Sequence, residues 1–364
     1  MLSSVTIEGY RGFEHFEMSG LGRVNLLVGP NNGGKTSVLE AIFLLENGGN
    51  PGAIWQILAR RGECSVIEQR GSPSTSRVDA ELRHLFRGHE IQPGSAFHIT
   101  AVPSKHFLQV GVRPTIGAEN GDQAAASQGT PGPAWTLVST GVPKPDFPTF
   151  SLTPSADLHE AAQMYRRPPG AGVAGLFVAA ESLSIDDLLS LWNGVSLTSA
   201  EATVLRALQM VDPEIERIAV QIASLNSYYR SALRGGFKVK RCGENRPIPV
   251  GSMGDGVWRM LGTAIALTQS QGGVLLVDDI DTGLHYSVMS DMWKLIYQTA
   301  KELDVQVFAT THSYDCVYSL APLCASADEQ NPITVQRIEH GKSAAIPYAL
   351  NQVRIAAEHQ IEVR

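Results

Sequence analysis

A glycine-rich segment between a short apolar run and an apolar helix constrains this chain most. Residues 24–28 (Val-Asn-Leu-Leu-Val) predict a buried strand, and residues 29–36 (Gly-Pro-Asn-Asn-Gly-Gly-Lys-Thr) fit the phosphate-loop spacing G-x-x-x-x-G-K-[ST]. In such a loop successive backbone N–H groups converge on an anion, and the following helix adds the positive end of its dipole. The alternative is a strand-to-helix turn that binds nothing. The flanking strand and helix favour the phosphate loop, because the motif requires both.

The loop residues have separable predicted roles. Lys35 is predicted to reach the β- and γ-phosphates, and the Thr36 hydroxyl is placed to ligate Mg²⁺. ATP and Mg²⁺ are therefore the expected cofactors. The residues of this loop predicted to bind the nucleotide are Asn31, Asn32, Gly33, Gly34, Lys35, Thr36 and Ser37.

A second apolar run, at residues 273–277, ends in two carboxylates, which is the Walker B pattern. Asp278 is predicted to hold Mg²⁺ through water, and Asp279 to orient or deprotonate the attacking water. A third buried run at residues 305–311 ends at His312. A histidine after a strand is usually structural, but the carboxyl edge of a parallel sheet is where ligands bind. We expect His312 to contact the γ-phosphate, so the predicted catalytic residues are Asp279, Lys35 and His312.

These runs predict an α/β fold, a P-loop NTPase with a mixed central sheet. The predicted ATPase core comprises residues 1–62 and 247–364, with a β-rich antiparallel subdomain inserted at 63–180 and a helical, basic subdomain at 181–246. The antiparallel strands are expected at Val78–Phe86, Ala96–Val102, Phe107–Val112, Trp135–Thr140 and Gly175–Ala179, and residues 113–133 are expected to form a mobile loop. Ser184 and Ser199 are expected to cap two helices.

Two further features leave alternatives open. Residues 230–246 carry six basic residues against one Glu244, with two tyrosines just upstream, so they could follow a nucleic-acid backbone or form a solvated edge hairpin. Tyr10 and Arg11 could contact a nucleotide base or phosphate, or could serve packing.

Composition narrows the class of protein. The 364 residues include 29 lysines and arginines against 36 acidic residues, a net charge of −7, which argues against a surface that is basic throughout. No run approaches the ~20 apolar residues of a membrane span, and no leader precedes the first strand. The four cysteines form no C-x-x-C pair, so neither a zinc site nor a disulfide framework is indicated. We expect a soluble cytoplasmic protein without a membrane partner.

The order of these motifs resembles the ABC-type ATPase heads of the RecF, OLD and SMC group. The resemblance rests on the phosphate loop, on Ser-Met-Gly-Asp-Gly at 252–256, on the Walker B strand, on Asp-Thr-Gly-Leu-His at 281–285 and on the final Thr-His-Ser. It is greatest to short OLD-like AAA-type ATPases of anti-phage and DNA-repair systems. It implies that Ser252 and Gly254 bind the nucleotide of a partner head, and that two heads dimerise around two ATP molecules.

The chain departs from the family pattern in three places. Its signature reads Ser-Met-Gly-Asp-Gly rather than the commoner Ser-Gly-Gly-Gln, and Asp279 stands where the family usually has Glu. A carboxylate moved by on the order of 1 Å can cost ~100-fold in rate, so slow hydrolysis is expected. The family's Q-loop glutamine is not identified, since Gln56, Gln69, Gln92 and Gln109 are all candidates.

Two features of related families, a coiled coil and a nuclease site, are not found in this sequence, and this affects the expected function. The chain has no sustained heptads of the SMC type, and the residues after Ser313 contain no carboxylate cluster that suggests a TOPRIM nuclease site. The leading hypothesis is a head that dimerises on ATP and controls a separate effector or nuclease subunit, or engages DNA, in anti-phage defence. The alternatives are a RecF-like DNA-repair clamp and an ATP-bound scaffold with little hydrolysis.

Overall fold

The fold is organised around a six-stranded mixed sheet. The computed structural model describes residues 1–68, 76–92, 94–103, 106–114, 135–142, 150–152, 175–220, 236–325 and 332–359. Gln69, Tyr228, Tyr229, Arg230, Arg234 and most of the predicted loop at 113–133 lie outside these residues. The seventeen strands of the described residues are β1 (Ser4–Tyr10), β2 (Phe13–Ser19), β3 (Val24–Val28), β4 (Cys64–Glu68), β5 (Ser76–Ala80), β6 (Ala96–Val102), β7 (Phe107–Pro114), β8 (Trp135–Val142), β9 (Phe150–Leu152), β10 (Gly175–Val178), β11 (Ile215–Val220), β12 (Phe237–Arg241), β13 (Ile248–Pro249), β14 (Val274–Val277), β15 (Gln306–Thr310), β16 (Ile333–Arg337) and β17 (Ile346–Ala349).

Helices cover both faces of this sheet. The α-helices of the described residues are α1 (Lys35–Glu46), α2 (Pro51–Arg60), α3 (Ile185–Trp192), α4 (Ser199–Val211), α5 (Asp255–Gln269), α6 (Tyr286–Glu302), α7 (Tyr314–Tyr318) and α8 (Leu350–Glu358). Short 3₁₀ turns occur at Leu82–Leu85, Arg87–His89, Val250–Ser252 and Ala321–Ala325. Within the described ranges, every helix is too short or too polar to cross a lipid bilayer.

The central sheet has the order β10-β14-β15-β3-β16-β17. Its first five strands are parallel, and β17 returns antiparallel to β16 after the connection at residues 338–345. Because neighbouring side chains of a strand point to opposite faces, β3 contributes Leu26 to one apolar core and Leu27 to the other. The predicted α/β fold with a mixed central sheet is confirmed.

Helix α1 lies between this mixed sheet and a second, antiparallel one. The second sheet has the order β2-β1-β6-β7-β8-β9, and α1 packs on strands of both sheets. That position explains why residues 38–45 are all buried, since a helix with apolar side chains on every face needs cover on every face. The phosphate loop is therefore anchored by a helix held in the middle layer of the protein.

Two predicted strands differ from the structure, one in the sheet that it joins and one in its length. Gly175–Val178 pairs in parallel with β14 in the central sheet, not in the antiparallel region, so that part of the prediction is wrong. Val78–Phe86 is a strand only to Ala80 and then turns through a 3₁₀ segment. Strand β6 pairs with β1, so the predicted insertion continues a sheet begun at the amino terminus. The domain boundaries at 62, 180 and 246 stay a prediction.

The predicted helix caps are nearly right. The Ser184 side chain accepts a hydrogen bond from the backbone N–H of Asp187 at the start of α3. For α4 the cap is Thr198 rather than Ser199, because the Thr198 side chain accepts from the N–H of Ala200. Both residues can cap, and only the backbone geometry decides between neighbours.

Candidate functional site

The phosphate loop is shaped by two glycines at positions where a side chain would clash with neighbouring atoms. Gly29 has φ 136° and Gly34 has φ 98°, both in the region that favours glycine. A Cβ on Gly29 would lie 2.1 Å from the carbonyl oxygen of Ile338, and a Cβ on Gly34 would lie 2.5 Å from the ring of Phe13. The loop is thus pressed against the strand-end residue Ile338 on one side and β2 on the other.

Lys35 begins α1 and turns back into the loop. Its side chain is buried, and its ammonium donates to the carbonyl oxygens of Gly29 at 2.8 Å and Pro30 at 2.9 Å. Burial lowers the pKa of Lys35, while the negative charges of Asp279 and Asp278 act in the opposite direction. The ammonium is therefore held at the mouth of the loop, facing two carboxylates, where a phosphate would add a stronger anionic partner.

Thr36 and Asp278 meet at the adjacent strand end. The Thr36 hydroxyl lies 3.2 and 3.0 Å from the two carboxylate oxygens of Asp278, and the Thr310 hydroxyl donates to the same carboxylate at 2.6 Å. Because β3 and β14 are parallel strands of one sheet, their carboxyl ends share an edge. The structure brings together the two residues predicted to hold Mg²⁺.

The donor set fits a magnesium ion that is bound mainly through a nucleotide. In the part of the chain that the structure describes, no group of three or more His, Cys, Asp or Glu side chains is placed to hold a metal. Mg²⁺ usually takes one or two protein oxygens together with phosphate oxygens and water. The converging oxygens of Thr36 and Asp278 match that requirement.

Asp279 adopts a backbone conformation that is unusual for its residue type. Its φ is 47°, and its N–H donates to the Thr310 hydroxyl at 2.8 Å. Burial and the charge of Asp278 raise the pKa of Asp279, and the nearby His312 opposes this shift. A partly exposed carboxylate with a raised pKa, next to a phosphate-binding loop, suits the positioning of water and the acceptance of its proton.

His312 lies between the loop lysine and this carboxylate. Its Nδ1 is 3.4 Å from the ammonium of Lys35, and its Nε2 is 3.9 Å from a carboxylate oxygen of Asp279. The side chain remains 43% exposed, so it can meet a ligand in the cleft. The three residues predicted to be catalytic thus lie at one sheet edge.

Two threonines of this edge were missed by the sequence reasoning. Thr310 contacts both Asp278 and Asp279, and the Thr311 hydroxyl donates to Asp281 at 2.5 Å. Both threonines are fully buried. Their position directly before His312 was a usable signal, because side chains that follow a parallel strand lie near the ligand edge.

The segment at 252–256 lies against the segment at 281–285. A Cβ on Gly283 would lie 2.9 Å from the Cβ of Asp255, and a Cβ on Gly256 would lie 2.7 Å from the Gly283 carbonyl oxygen. Within the described chain, no hydrogen bond or ion pair joins Ser252 or Gly254 to Lys35, Thr36 or Asp278. Binding of a partner's nucleotide by Ser252 and Gly254 stays a prediction.

A cavity of about 570 Å³ opens beside the phosphate loop. Asn32, Gly33, Gly34 and Ser37 contribute its loop side, whereas Asn31 is exposed and does not line it. The cavity is polar on its far side, where it is lined by His15, Arg61, Arg87, His340 and Lys342. Its size and place suit the nucleoside part of a nucleotide whose phosphates lie on the loop.

The two alternatives for Tyr10 and Arg11, nucleotide contact or packing, are decided differently for the two residues. Tyr10 is fully buried and packs edge-on against Phe97, so the packing alternative holds for it. Arg11 is also buried but lines the cavity, and it forms ion pairs with Glu40 at 2.8 Å and Glu63 at 2.7 Å.

The glutamine candidates do not lie at the ligand edge in the described structure. Gln56, Gln92 and Gln109 are all exposed, on α2, before β6 and on β7, and none lines the cavity. The strand beside Walker B is β10, and Glu181 lies three residues beyond its carboxyl end. Glu181 was not considered from sequence, because β10 was assigned to another sheet.

Comparisons with known proteins match the same two parts of the chain. A family model described as "AAA ATPase domain" matches residues 1–94, and one described as "AAA domain, putative AbiEii toxin, Type IV TA system" matches residues 226–315. An ATP/GTP phosphatase of Helicobacter pylori is 24% identical over 361 residues, covering 90% of each chain. The DNA replication and repair protein RecF of Yersinia enterocolitica is 37% identical over 82 residues, 22% of this chain and 21% of that protein. These matches fit the expected ABC-type ATPase head of the RecF and SMC group.

Solved SMC heads are among the structures similar to this ATPase head. An SMC head bound to the C-terminal winged-helix domain of ScpA is 14% identical with a TM-score of 0.47, covering 96% of this chain and 98% of that one. The SMC head of Thermotoga maritima is 12% identical with a TM-score of 0.43, covering 95% and 98%. The specific OLD-like relationship stays a prediction for this ATPase head.

Proposed function

We propose that this ATPase head binds ATP with Mg²⁺ and hydrolyses it slowly, using ATP mainly to close a dimer of two heads. The observation that carries the proposal is the meeting of Lys35, Thr36, Asp278, Asp279 and His312 at one sheet edge beside a cavity of nucleoside size. These residues come from three separate strand ends, and a purely structural role would not require two carboxylates, a lysine and a histidine together.

The chemistry assigned to each residue follows from its place. Lys35 and the loop amides would stabilise negative charge on the β- and γ-phosphates, and His312 would contact the γ-phosphate. Asp279 would hold the attacking water and take its proton as the bond from the γ-phosphorus to the ADP oxygen breaks. Thr36 and Asp278 would hold Mg²⁺, which supplies charge neutralisation on the phosphates when bound.

Dimer closure is proposed because, among the described residues, no hydrogen bond or ion pair joins Ser252 or Gly254 to the chain's own Lys35 or Thr36. In a head of this group a second copy would bring its Ser252 and Gly254 to the γ-phosphate. Closure around two ATP molecules would then change the surface shown to a partner, which we propose is a separate effector or nuclease subunit. A role in anti-phage defence is part of the same proposal.

Direct clamping of DNA is the alternative, and the ion pairs of two described basic residues, Lys240 and Arg241, do not favour it. Strand β12 forms a hairpin with β13, but it is the middle strand of a three-stranded sheet, so only the edge position in that prediction is wrong. Lys240 pairs with Glu216 at 3.2 Å, and Arg241 pairs with Asp212 at 2.9 Å and Glu214 at 2.5 Å. Basic groups that are already paired have less to gain from a phosphate backbone.

The test measures nucleotide binding, turnover and mass on one preparation. Wild type is expected to bind ATP, to release phosphate in a single turnover, and to double in mass with ATP and Mg²⁺. Lys35→Ala is expected to lose nucleotide binding and remain a monomer. Retained tight ATP binding by Lys35→Ala would contradict the assignment. Binding and dimerisation without phosphate release would instead support the scaffold alternative.

A further inference from the structure

A buried arginine on the helix after the 252–256 segment contacts the backbone behind both carboxylates. Arg259 lies on α5 and is 3% exposed. One terminal nitrogen of its guanidinium donates to the carbonyl oxygens of Asp278 and Asp279, the latter at 3.1 Å. The other donates to the carbonyl oxygens of Ala179 and Ala180, the latter at 3.3 Å. A single side chain therefore joins the carboxyl ends of β10 and β14 to α5.

The electrostatics of this contact favour a cation. Backbone carbonyls that follow two parallel strands direct their negative ends toward the guanidinium, and three aspartates lie nearby. Burial lowers the pKa of Arg259 to about 10, and the charges of Asp278, Asp279 and Asp281 oppose this shift. Arg259 therefore stays protonated at neutral pH, and its charge is balanced by carbonyl dipoles in contact and carboxylates at longer range.

Helix α5 is pressed against the turn that Arg259 holds. A Cβ on Gly262 would lie 2.4 Å from the hydroxyl of Ser182. Ser182 is buried with φ 81°, and a bridge between Ala179 and Ser182 closes the turn. The middle of α5 is therefore packed closely against the residues that follow β10.

The amino end of α5 contacts the segment that follows the Walker B carboxylates. Asp255 and Gly256 touch Gly283, just beyond the Walker B carboxylates. Arg259 follows one helical turn later. We propose that Arg259 is a positioning residue that couples the 252–256 segment to Asp278 and Asp279, so that engagement of that segment sets the carboxylate geometry. This inference rests on the proposed function and deepens it.

The guanidinium is needed for its shape as well as its charge. It is planar and presents donors in a fixed fork, whereas a lysine ammonium is a compact point charge. Asp279 holds a positive φ, and its peptide is fixed by the Thr310 hydroxyl on its N–H side and by Arg259 on its carbonyl side. Releasing the carbonyl side would let the carboxylate drift, and a displacement of about 1 Å can cost ~100-fold in rate.

The test compares Arg259→Lys and Arg259→Met with Arg23→Met. Arg23 is a matched control, because it is 7% exposed and lies just before β3, at the opposite edge of the same sheet, paired with Asp304 at 2.7 Å. Both arginine sites are expected to lose thermal stability when changed to methionine. Only the Arg259 variants are expected to lose kcat, by about 10- to 100-fold, with ATP affinity within about threefold of wild type.

The outcomes separate this inference from the proposed function. Absence of ATP hydrolysis by wild type would refute the proposed function itself. Normal kcat in Arg259→Lys, or equal loss of kcat in Arg23→Met, would overturn the role of Arg259 alone. Loss of ATP binding in step with kcat, or failure of both Arg259 variants to fold, would assign Arg259 a purely structural role and also overturn the inference.

Discussion

The hydroxyl of Thr36 lies 3.0 Å from one carboxylate oxygen of Asp278 and 3.2 Å from the other, although 242 positions separate the two residues. Thr36 is fixed by the first turn of α1, and Asp278 by the end of β14. Since α1 is packed between two sheets, the hydroxyl has little freedom to move away. The contact therefore joins the two matched parts of the chain into one site.

Lengthening the side chain of Asp279, the residue after the Walker B aspartate, is expected to speed hydrolysis. Asp279→Glu restores the methylene that separates this head from the usual family pattern, and we expect turnover to rise by about 10-fold or more, because reach limits the contact with water. Asp279→Asn is the matched control and is expected to bind ATP but release almost no phosphate in a single turnover. Unchanged turnover in Asp279→Glu would refute the idea that this position limits the rate.

As the pH is lowered, hydrolysis is expected to slow at a higher pH than it would if Asp279 had the ordinary pKa of an aspartate. Burial and Asp278 raise the pKa of Asp279 above its usual 3.8. The deprotonated carboxylate is the form that accepts a proton, so the rate is lost as the pH falls through this raised pKa. The single-turnover rate of wild type against pH measures the midpoint. A midpoint at or below the ordinary aspartate value would contradict the assignment of Asp279 as base.

Alanine at Gly29 is expected to damage the loop far more than alanine at another left-handed glycine. A Cβ at Gly29 meets the Ile338 carbonyl oxygen at 2.1 Å, whereas Gly20, with φ +66°, has nothing within 4 Å of its Cβ position. Gly20→Ala should cost about 1–2 kcal/mol of unfolding free energy through backbone strain alone. Gly29→Ala should cost more and abolish ATP binding, as seen by denaturant unfolding and nucleotide titration. Equal effects of the two changes would show that the clash is relieved by movement.

Removing the carboxylate of Glu40 is expected to destabilise the fold strongly. Its side chain is 5% exposed and pairs with Arg11 at 2.8 Å and Arg61 at 2.6 Å. Breaking a buried pair costs about 3–5 kcal/mol, and because Arg11 keeps Glu63 as a second partner, Glu40→Ala should cost the lower end of that range, about 3 kcal/mol of unfolding free energy. Glu358→Gln is the comparison, since Glu358 pairs with Arg354 at the surface of α8. Such exposed pairs contribute about 0–1 kcal/mol, and a similar cost for both variants would argue against burial as the cause.

Local signals predicted the site better than the architecture around it. The phosphate loop, the Walker B run and His312 are each written in a few consecutive residues, so their placement at one sheet edge followed from strand and helix periodicity. The position of Gly175–Val178 did not, because a four-residue apolar run does not show which sheet it joins. Its parallel partner lies at Val274–Val277, almost a hundred positions later.

The sequence also did not identify the side chains whose contacts depend on packing between distant parts of the chain. Arg259 is an ordinary arginine in a helical pattern, and its contacts arise only because α5 packs on the ends of β10 and β14. Thr310 and Thr311 read as the polar end of a strand until the neighbouring carboxylates are placed. Long-range packing, rather than local propensity, decides which of these residues belong to the site.

The magnesium dependence of ATP hydrolysis in Asp278→Asn tests most directly whether one site is built from both parts of the chain. Phosphate release is measured against Mg²⁺ concentration for wild type and for Asp278→Asn, with ATP binding measured separately. The account predicts that Asp278→Asn still binds ATP through Lys35 but needs far more Mg²⁺ and loses at least about 100-fold in rate, as expected when a metal-holding carboxylate is removed. Hydrolysis with the wild-type rate and magnesium dependence in Asp278→Asn would contradict it.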